Sequence, residues 1–316
     1  MAAWPPIISP AELSRRLGDL GLRVVDVRWV LGKPGAGREA YDAGHLPGAI
    51  FLDVDTDLVA SSGPGRHPLP APADLRARLE AAGIGSEHSV VAYDDVGGWV
   101  AARLWWMLDD LGHERVSVLD GGLPSWVAEG LPVTRDVRRY APARLELSDR
   151  WTNTIERASL AAGLGSRVLL DARGGPRYRG ETEPIDAVPG HIPTARHAPI
   201  EGNLGPDGRV LGPAELAARF RGLGADGSEG TVVTSCGSGI AACFNSLAMR
   251  VAGLPDPLLY PGSYSDWTQS GMPIATGAEP GDVPPDLQGA RSEVAAPGAR
   301  TEVAAPPAST EPTDNR

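Results

Sequence analysis

The sequence predicts an α/β protein of two tandem domains, each a parallel sheet flanked by helices, followed by a disordered C-terminal tail. Three observations carry this. The chain repeats itself once. Each copy alternates short β-branched apolar runs with helical patterns, which implies parallel strands joined by crossover helices. Beyond about 280 the chain turns to Pro, Ala and Gly, with few large apolar residues and a repeated EVAAP. Such a segment buries too little apolar surface to fold.

The repeat is legible element by element. RVVDVR (23–28) echoes RVLLDAR (167–173), and GHLPGA (44–49) echoes GHIPTA (190–195). PADLRARLEAAGIGSEHSVVAYD (72–94) echoes PAELAARFRGLGADGSEGTVVTSC (213–236), and DGGLPSW (120–126) echoes PGSYSDW (261–267). The order is the same in both halves, at an offset of 141 to 146 residues. A period of that size is a duplicated domain, not a solenoid repeat. The strands expected are RVVDV, SVVAY and VSVLD, then RVLLD, TVVTS and PLLY. PADLRARLEAAG and WVAARLWWMLDDLG read as helices. The domains run 1–137 and 153–279, joined by a linker over 138–152, with the tail at 280–316.

A formal charge of −11 argues against nucleic acid and anionic membranes as partners, because both need basic faces. No apolar run reaches the roughly 18 residues of a membrane span. The start has no basic segment followed by an apolar one, so no signal peptide is expected. Two cysteines in 316 residues are no disulfide framework, and a cytoplasmic location fits.

Both cysteines fall in TVVTSCGSGIAAC, residues 231–243. Cys236 follows a strand-like run and opens a small-residue turn, Gly237-Ser238-Gly239, before a helical pattern. It therefore sits at the carboxyl end of a parallel strand, where open α/β sheets place ligands. Inward N–H groups and a helix start favour thiolate over thiol, and the thiolate is the nucleophile. Ser238 can donate a hydrogen bond to it or to a bound anion. The duplication supplies a control: copy one has Asp94 at the matching place, so the scaffold does not require a cysteine there. Cys243, on the helix, reads as packing.

Several chemistries fail. A cysteine phosphatase needs C-x5-R, and that position is Ala242. A dithiol site needs C-x-x-C, and a metal site needs further thiolates. A P-loop needs G-K-[ST], and the only lysine, Lys33, precedes Pro34. What is left is a single anion-stabilised thiolate that takes up a group and hands it on, with no cofactor and no metal.

With these residues in view, the chain over about 9–279 resembles the tandem rhodanese-type sulfurtransferases. The resemblance rests on the GH[LI]P turns, DGGLPSW, RYRGETEPID–GHIP and above all CGSGIAA. It implies two rhodanese-like domains, the first non-catalytic and the second catalytic. It also implies a Cys236 persulfide, charged by thiosulfate or 3-mercaptopyruvate and discharged to cyanide or a thiol, a thioredoxin-like protein among the candidate acceptors. A CGSG loop goes with 3-mercaptopyruvate in this family, where the loop serine works with a histidine and an aspartate of the first domain. Ser238, His67 in GRHPLP and Asp55 in FLDVD match them. The loop residues Gly237, Gly239 and Ile240 would line the donor site. Arg177 matches the first of two donor-binding arginines. The second falls on Ile185, with Arg179 nearby as a substitute, so the loop implies 3-mercaptopyruvate while the arginine site admits a smaller anion such as thiosulfate. The alternative is a persulfide carrier that loads one sulfur for a partner protein without turnover.

His45 and His191 recur in both copies and read as structural, as do Trp126 and Trp267. Trp99, Trp105 and Trp106 read as packing, at the domain interface among other places. His88, His113 and His197 show no partner pattern.

Overall fold

The computed structural model describes residues 4–288. The first sheet contains β1 (Ile7–Ile8), β2 (Leu22–Asp26), β3 (Ile50–Phe51), β4 (Ser89–Tyr93) and β5 (Val116–Leu119), in the order β1-β5-β4-β2-β3. The second contains β6 (Val168–Asp171), β7 (Arg196–His197), β8 (Val232–Ser235) and β9 (Leu258–Leu259), in the order β7-β6-β8-β9. All these pairings are parallel. An isolated parallel bridge from Thr154 to Leu259 stands where β1 stands in the first sheet. The two orders are then the same, as the sequence repeat requires.

The strands read as continuous apolar runs because both sheet faces are covered. Successive residues serve opposite sides. Val25, Val90 and Ala92 enter one core, while Val24, Val91 and Tyr93 enter another. Val168, Leu170 and Val232 likewise part from Leu169 and Val233. The helices Pro72–Ala81 and Pro213–Gly222 each begin on a proline, whose fixed φ suits the first turn.

Repeated local contacts mark the two halves as copies. Asp26 and Asp171 hold Arg28 and Arg173 at 2.7 and 2.6 Å. His45 and His191 each place Nδ1 2.8 Å from a tyrosine carbonyl, Tyr41 and Tyr178, and stack on that ring. Trp126 and Trp267 donate to the carbonyls of Pro132 and Pro273. These groups are structural in both copies.

The copies share a core. The helix Ala101–Asp110 is buried on nearly every side, because it lies between its own sheet and the helix Ala242–Val251. Leu104, Trp105 and Leu108 join Ile240, Phe244 and Leu247 in one apolar cluster. Arg250 pairs with Asp109 across this contact at 2.9 Å. The segment between the copies is ordered along the first one. Ala143 and Leu145 donate to Glu80, and Trp151 stacks on Trp106 at 5.6 Å.

Disorder from 280 onward needs correction for its first nine residues. Thr194 N–H donates to the Pro280 carbonyl, Pro285–Gln288 forms a helical turn, and Val283 and Leu287 pack on the second core. Residues 289–316 of the expected tail lie outside the described residues. Among the described residues, no helix is long and apolar enough to cross a membrane.

Candidate active site

Cys236 immediately follows β8, and the helix begins only at Ala242, so 236–241 form a turn at the carboxyl edge of the sheet. The turn is anchored at both ends. Cys236 N–H donates to Ser263 Oγ at 3.1 Å, and the Cys236 and Gly237 carbonyls accept from Tyr264 and Ser265. Gly239 has φ +82°, and a Cβ there would meet the Pro261 carbonyl oxygen at 2.4 Å, so this position is restricted to glycine. Its N–H donates to Cys236 Sγ at 3.1 Å. Its carbonyl accepts from the Cys243 thiol at 3.3 Å, and burial pushes that thiol up to about 12. Cys243 is therefore a protonated packing residue that holds the turn.

Cys236, 3% exposed, lies on the floor of a cavity of about 160 Å³ between the copies. Trp29, Leu31 and Trp99 of the first copy form one wall, and Ile200, Ile240 and Arg177 of the second form another. Two larger clefts, about 620 and 690 Å³, are not lined by Cys236.

The structure joins Ser238 of the second copy to His67 of the first. His67 Nδ1 lies 2.6 Å from Ser238 Oγ, and its Nε2 lies 3.7 Å from Asp55 Oδ1. The Trp29 ring meets the His67 ring edge-on at 5.3 Å. Burial, together with the charges of Arg103 and Arg66, lowers the His67 pKa from 6.5 to about 4. The imidazole is neutral at pH 7. Its stability consequence has a definite sign. Above pH 6.5 the group is neutral folded and unfolded. Between 6.5 and 4 only the unfolded chain takes up the proton, so stability falls with pH, by at most about 3 kcal/mol for this group. His88 and His113 are lowered by burial and act in the same direction. His67→Asn is therefore expected to flatten, without abolishing, the loss of urea stability between those pH values.

The arginines depart from expectation. Arg179 does not reach the cavity: it is turned outward onto Glu181 at 2.6 Å. Ile185 is exposed. The first copy instead contributes Arg66, adjacent to His67 in sequence. Arg66 Nη2 and Arg177 Nη1 lie 2.9 and 3.5 Å from where a Gly237 side chain would begin, so both guanidinium groups face the turn. Glu183 holds Arg177 through Nε and Nη2, and Asp186 accepts from both Arg66 and Arg177.

A further unpredicted residue is Arg103, with no exposed surface. It donates to the Gly239 carbonyl at 3.0 Å and the His67 carbonyl at 2.9 Å. Among the described residues, no group of three or more His, Cys, Asp or Glu side chains could hold a metal.

The matching turn of the first copy has no thiol. Asp94 follows β4, and its carbonyl accepts from Leu123 as that of Cys236 accepts from Tyr264. Its buried carboxylate accepts four backbone N–H bonds, from Val96 and Gly98 on Oδ1 and from Val100 and Ala101 on Oδ2, at 2.8 to 3.0 Å. Burial pushes this carboxyl up, and the four N–H groups oppose it. A turn of this sequence class holds an anion through its own backbone.

Fold and site define a tandem α/β protein with a buried thiol at the carboxyl edge of the second sheet, covered by the first copy. The chain belongs to the rhodanese-like domain family, whose model matches residues 9–129 and again 156–270. A Pseudomonas aeruginosa protein described as "Probable 3-mercaptopyruvate sulfurtransferase" is 44% identical, covering 86% of this chain and 98% of that protein. The thiosulfate sulfurtransferase of Rattus norvegicus is 35% identical over 82% of this chain and 90% of its own. The solved 3-mercaptopyruvate sulfurtransferase of Leishmania major superposes with a TM-score of 0.74 at 31% identity, covering 84% of this chain and 75% of that one.

Proposed function

We propose that this protein is a sulfurtransferase that carries one sulfur atom on Cys236 as a persulfide. The observation that carries the reading is the pair of equivalent turns. In the first, the Asp94 oxygens lie two bonds from Cβ and are held by four N–H groups. The outer sulfur of a persulfide also lies two bonds from Cβ. Gly98 and Gly239, both at positive φ, donate to Asp94 Oδ1 and Cys236 Sγ, and from there the copies run at an offset of 141, so its cradle would be the N–H groups of Gly239, Ala241 and Ala242. Copy one holds the Asp94 carboxyl oxygens where copy two would hold a transient persulfide.

The Cys236 thiolate attacks the outer sulfur of the donor, forming an S–S bond while the donor's C–S or S–S bond breaks. With 3-mercaptopyruvate the broken bond's electron pair leaves as the pyruvate enolate, and the donor's thiol proton passes to the enolate carbon. With thiosulfate the pair leaves as sulfite, and no proton is needed. Cyanide or a thiol, a thioredoxin-like protein included, then takes the outer sulfur and returns the thiolate.

The neutral His67 supports 3-mercaptopyruvate as the preferred donor. With the proton of the neutral ring on Nε2, towards Asp55 Oδ1 at 3.7 Å and beyond direct hydrogen-bond reach, Nδ1 accepts from the Ser238 hydroxyl. That pair can carry the proton that the enolate needs. Arg66 and Arg177 would take the donor's anionic end. Thiocyanate formation from cyanide, with the two donors compared and Cys236→Ser as blank, tests this. Turnover well above the blank, with a preference for 3-mercaptopyruvate, is expected. One sulfur loaded without turnover would favour a carrier instead.

A further inference from the structure

The expected second arginine is absent, yet the residue after Ile185 reaches both arginines that line the cavity, Arg66 and Arg177. Asp186 bonds Arg66 Nη1 through Oδ1 and Arg177 Nη2 through Oδ2 at 3.0 Å, and its side chain is 3% exposed. Glu183 holds the other edge of Arg177 and accepts the N–H groups of Ile185 and Asp186, which sets the direction of the 183–186 turn. The two guanidinium groups beside Cys236 are thus matched by two internal carboxylates. Glu183 lies behind Arg177, whereas Asp186 bridges the two arginines across the domain interface.

We propose that Asp186 is a specificity-determining latch: it holds Arg66 Nη1 and Arg177 Nη2, so an anionic donor meets only Arg66 Nη2 and Arg177 Nη1 of a cation pair already partly neutralised, and engages either full guanidinium edge only by displacing it. The inference rests on the donor-binding role given above to these arginines. Its physical basis is competition between carboxylates. A guanidinium binds carboxylate, sulfonate and thiosulfate oxygens through the same planar N–H edges. An internal carboxylate already seated there lowers the affinity of any anion that arrives from water. It also gives Arg66, whose Nε has no partner, its carboxylate partner, whereas Arg177 has Glu183 as well. The latch sets the affinity for anionic donors, with little demand on whether the donor's anionic end is a carboxylate or a sulfonate.

Asp186→Asn keeps the shape and removes the charge. KM for 3-mercaptopyruvate and for thiosulfate is expected to fall roughly tenfold, the worth of one charge-assisted contact. A readout free of turnover accompanies it. Alkylation of Cys236 by anionic iodoacetate, relative to neutral iodoacetamide, is expected to rise by a similar factor. Glu181→Gln serves as control. It removes one negative charge from an exposed partner of Arg179, outside the cavity, and is expected to leave that ratio at the wild-type value. Equal ratios in both variants, a raised KM, or a lowered kcat with unchanged KM and ratio would each overturn the latch. If neither donor turns over but the iodoacetate ratio rises in Asp186→Asn alone, the latch stands and the sulfur-transfer reading falls.

Discussion

Cys236→Ser is expected to lower kcat/KM for sulfur transfer roughly ten-thousandfold or more, because no other group can form the covalent intermediate. Serine is close in size and can accept the Gly239 N–H as the thiol does, so stability should stay within about 1 kcal/mol of the parent. Loss of turnover then reports chemistry rather than folding. Cys243 is the internal comparison. Its thiol is protonated, fully buried and bonded to the Gly239 carbonyl, so Cys243→Ser is expected to retain transfer within about tenfold. Steady-state thiocyanate formation and urea midpoints on both variants check this. If Cys243→Ser were as dead as Cys236→Ser, the division between nucleophile and packing thiol would fail.

The duplication is why so much was legible. Each strand could be read twice, and a difference between copies stood out against a shared scaffold. Cys236 against Asp94 is such a difference, and it singles out the 236–241 turn from the sequence alone. Ser238, His67 and Asp55 were placed by resemblance, and the first two meet at 2.6 Å across the domain boundary. The arginine site was misjudged for a physical reason. Arg179 is two residues from Arg177, but in a short helix the two point in different directions, and Arg179 finds Glu181 at the surface. Arg66 comes from a loop of the other copy, about a hundred residues earlier in the chain. Its one sequence signal is adjacency to His67. Likewise the tail's composition hid Val283 and Leu287, two apolar residues that suffice to dock its start.

Arg103 shows what the second copy draws from the first. On the helices Ala101–Asp110 and Ala242–Val251 the copies run at an offset of 141, so its counterpart is Phe244, a fully buried side chain of the shared apolar core. Arg103 reaches out instead. One Nη serves the Gly239 carbonyl in the cysteine turn, and the other serves the His67 carbonyl. It thereby ties the Cys236 turn to the loop that carries His67, the partner of Ser238. No carboxylate pairs with it among the described residues, so its charge is held by carbonyl dipoles within a shared apolar core. Arg103→Met would leave the His67 carbonyl without its guanidinium donor and the Gly239 carbonyl with only the Cys243 thiol, while filling most of the volume. The cost is expected to be about 2–4 kcal/mol, partly offset because a buried charge no longer has to be desolvated. Transfer should fall more than stability alone explains, about a hundredfold in kcat/KM, since both backbones it tethers would relax. Arg103→Lys separates charge from geometry. A single ammonium keeps the charge but lacks the planar fork that spans two carbonyls, so it should recover part of the stability and little of the transfer. Urea midpoints and kcat/KM on the two variants decide between these. If Arg103→Lys restored transfer fully, the buried charge would matter and the double tether would not; if Arg103→Met transferred sulfur at the parent rate, neither would.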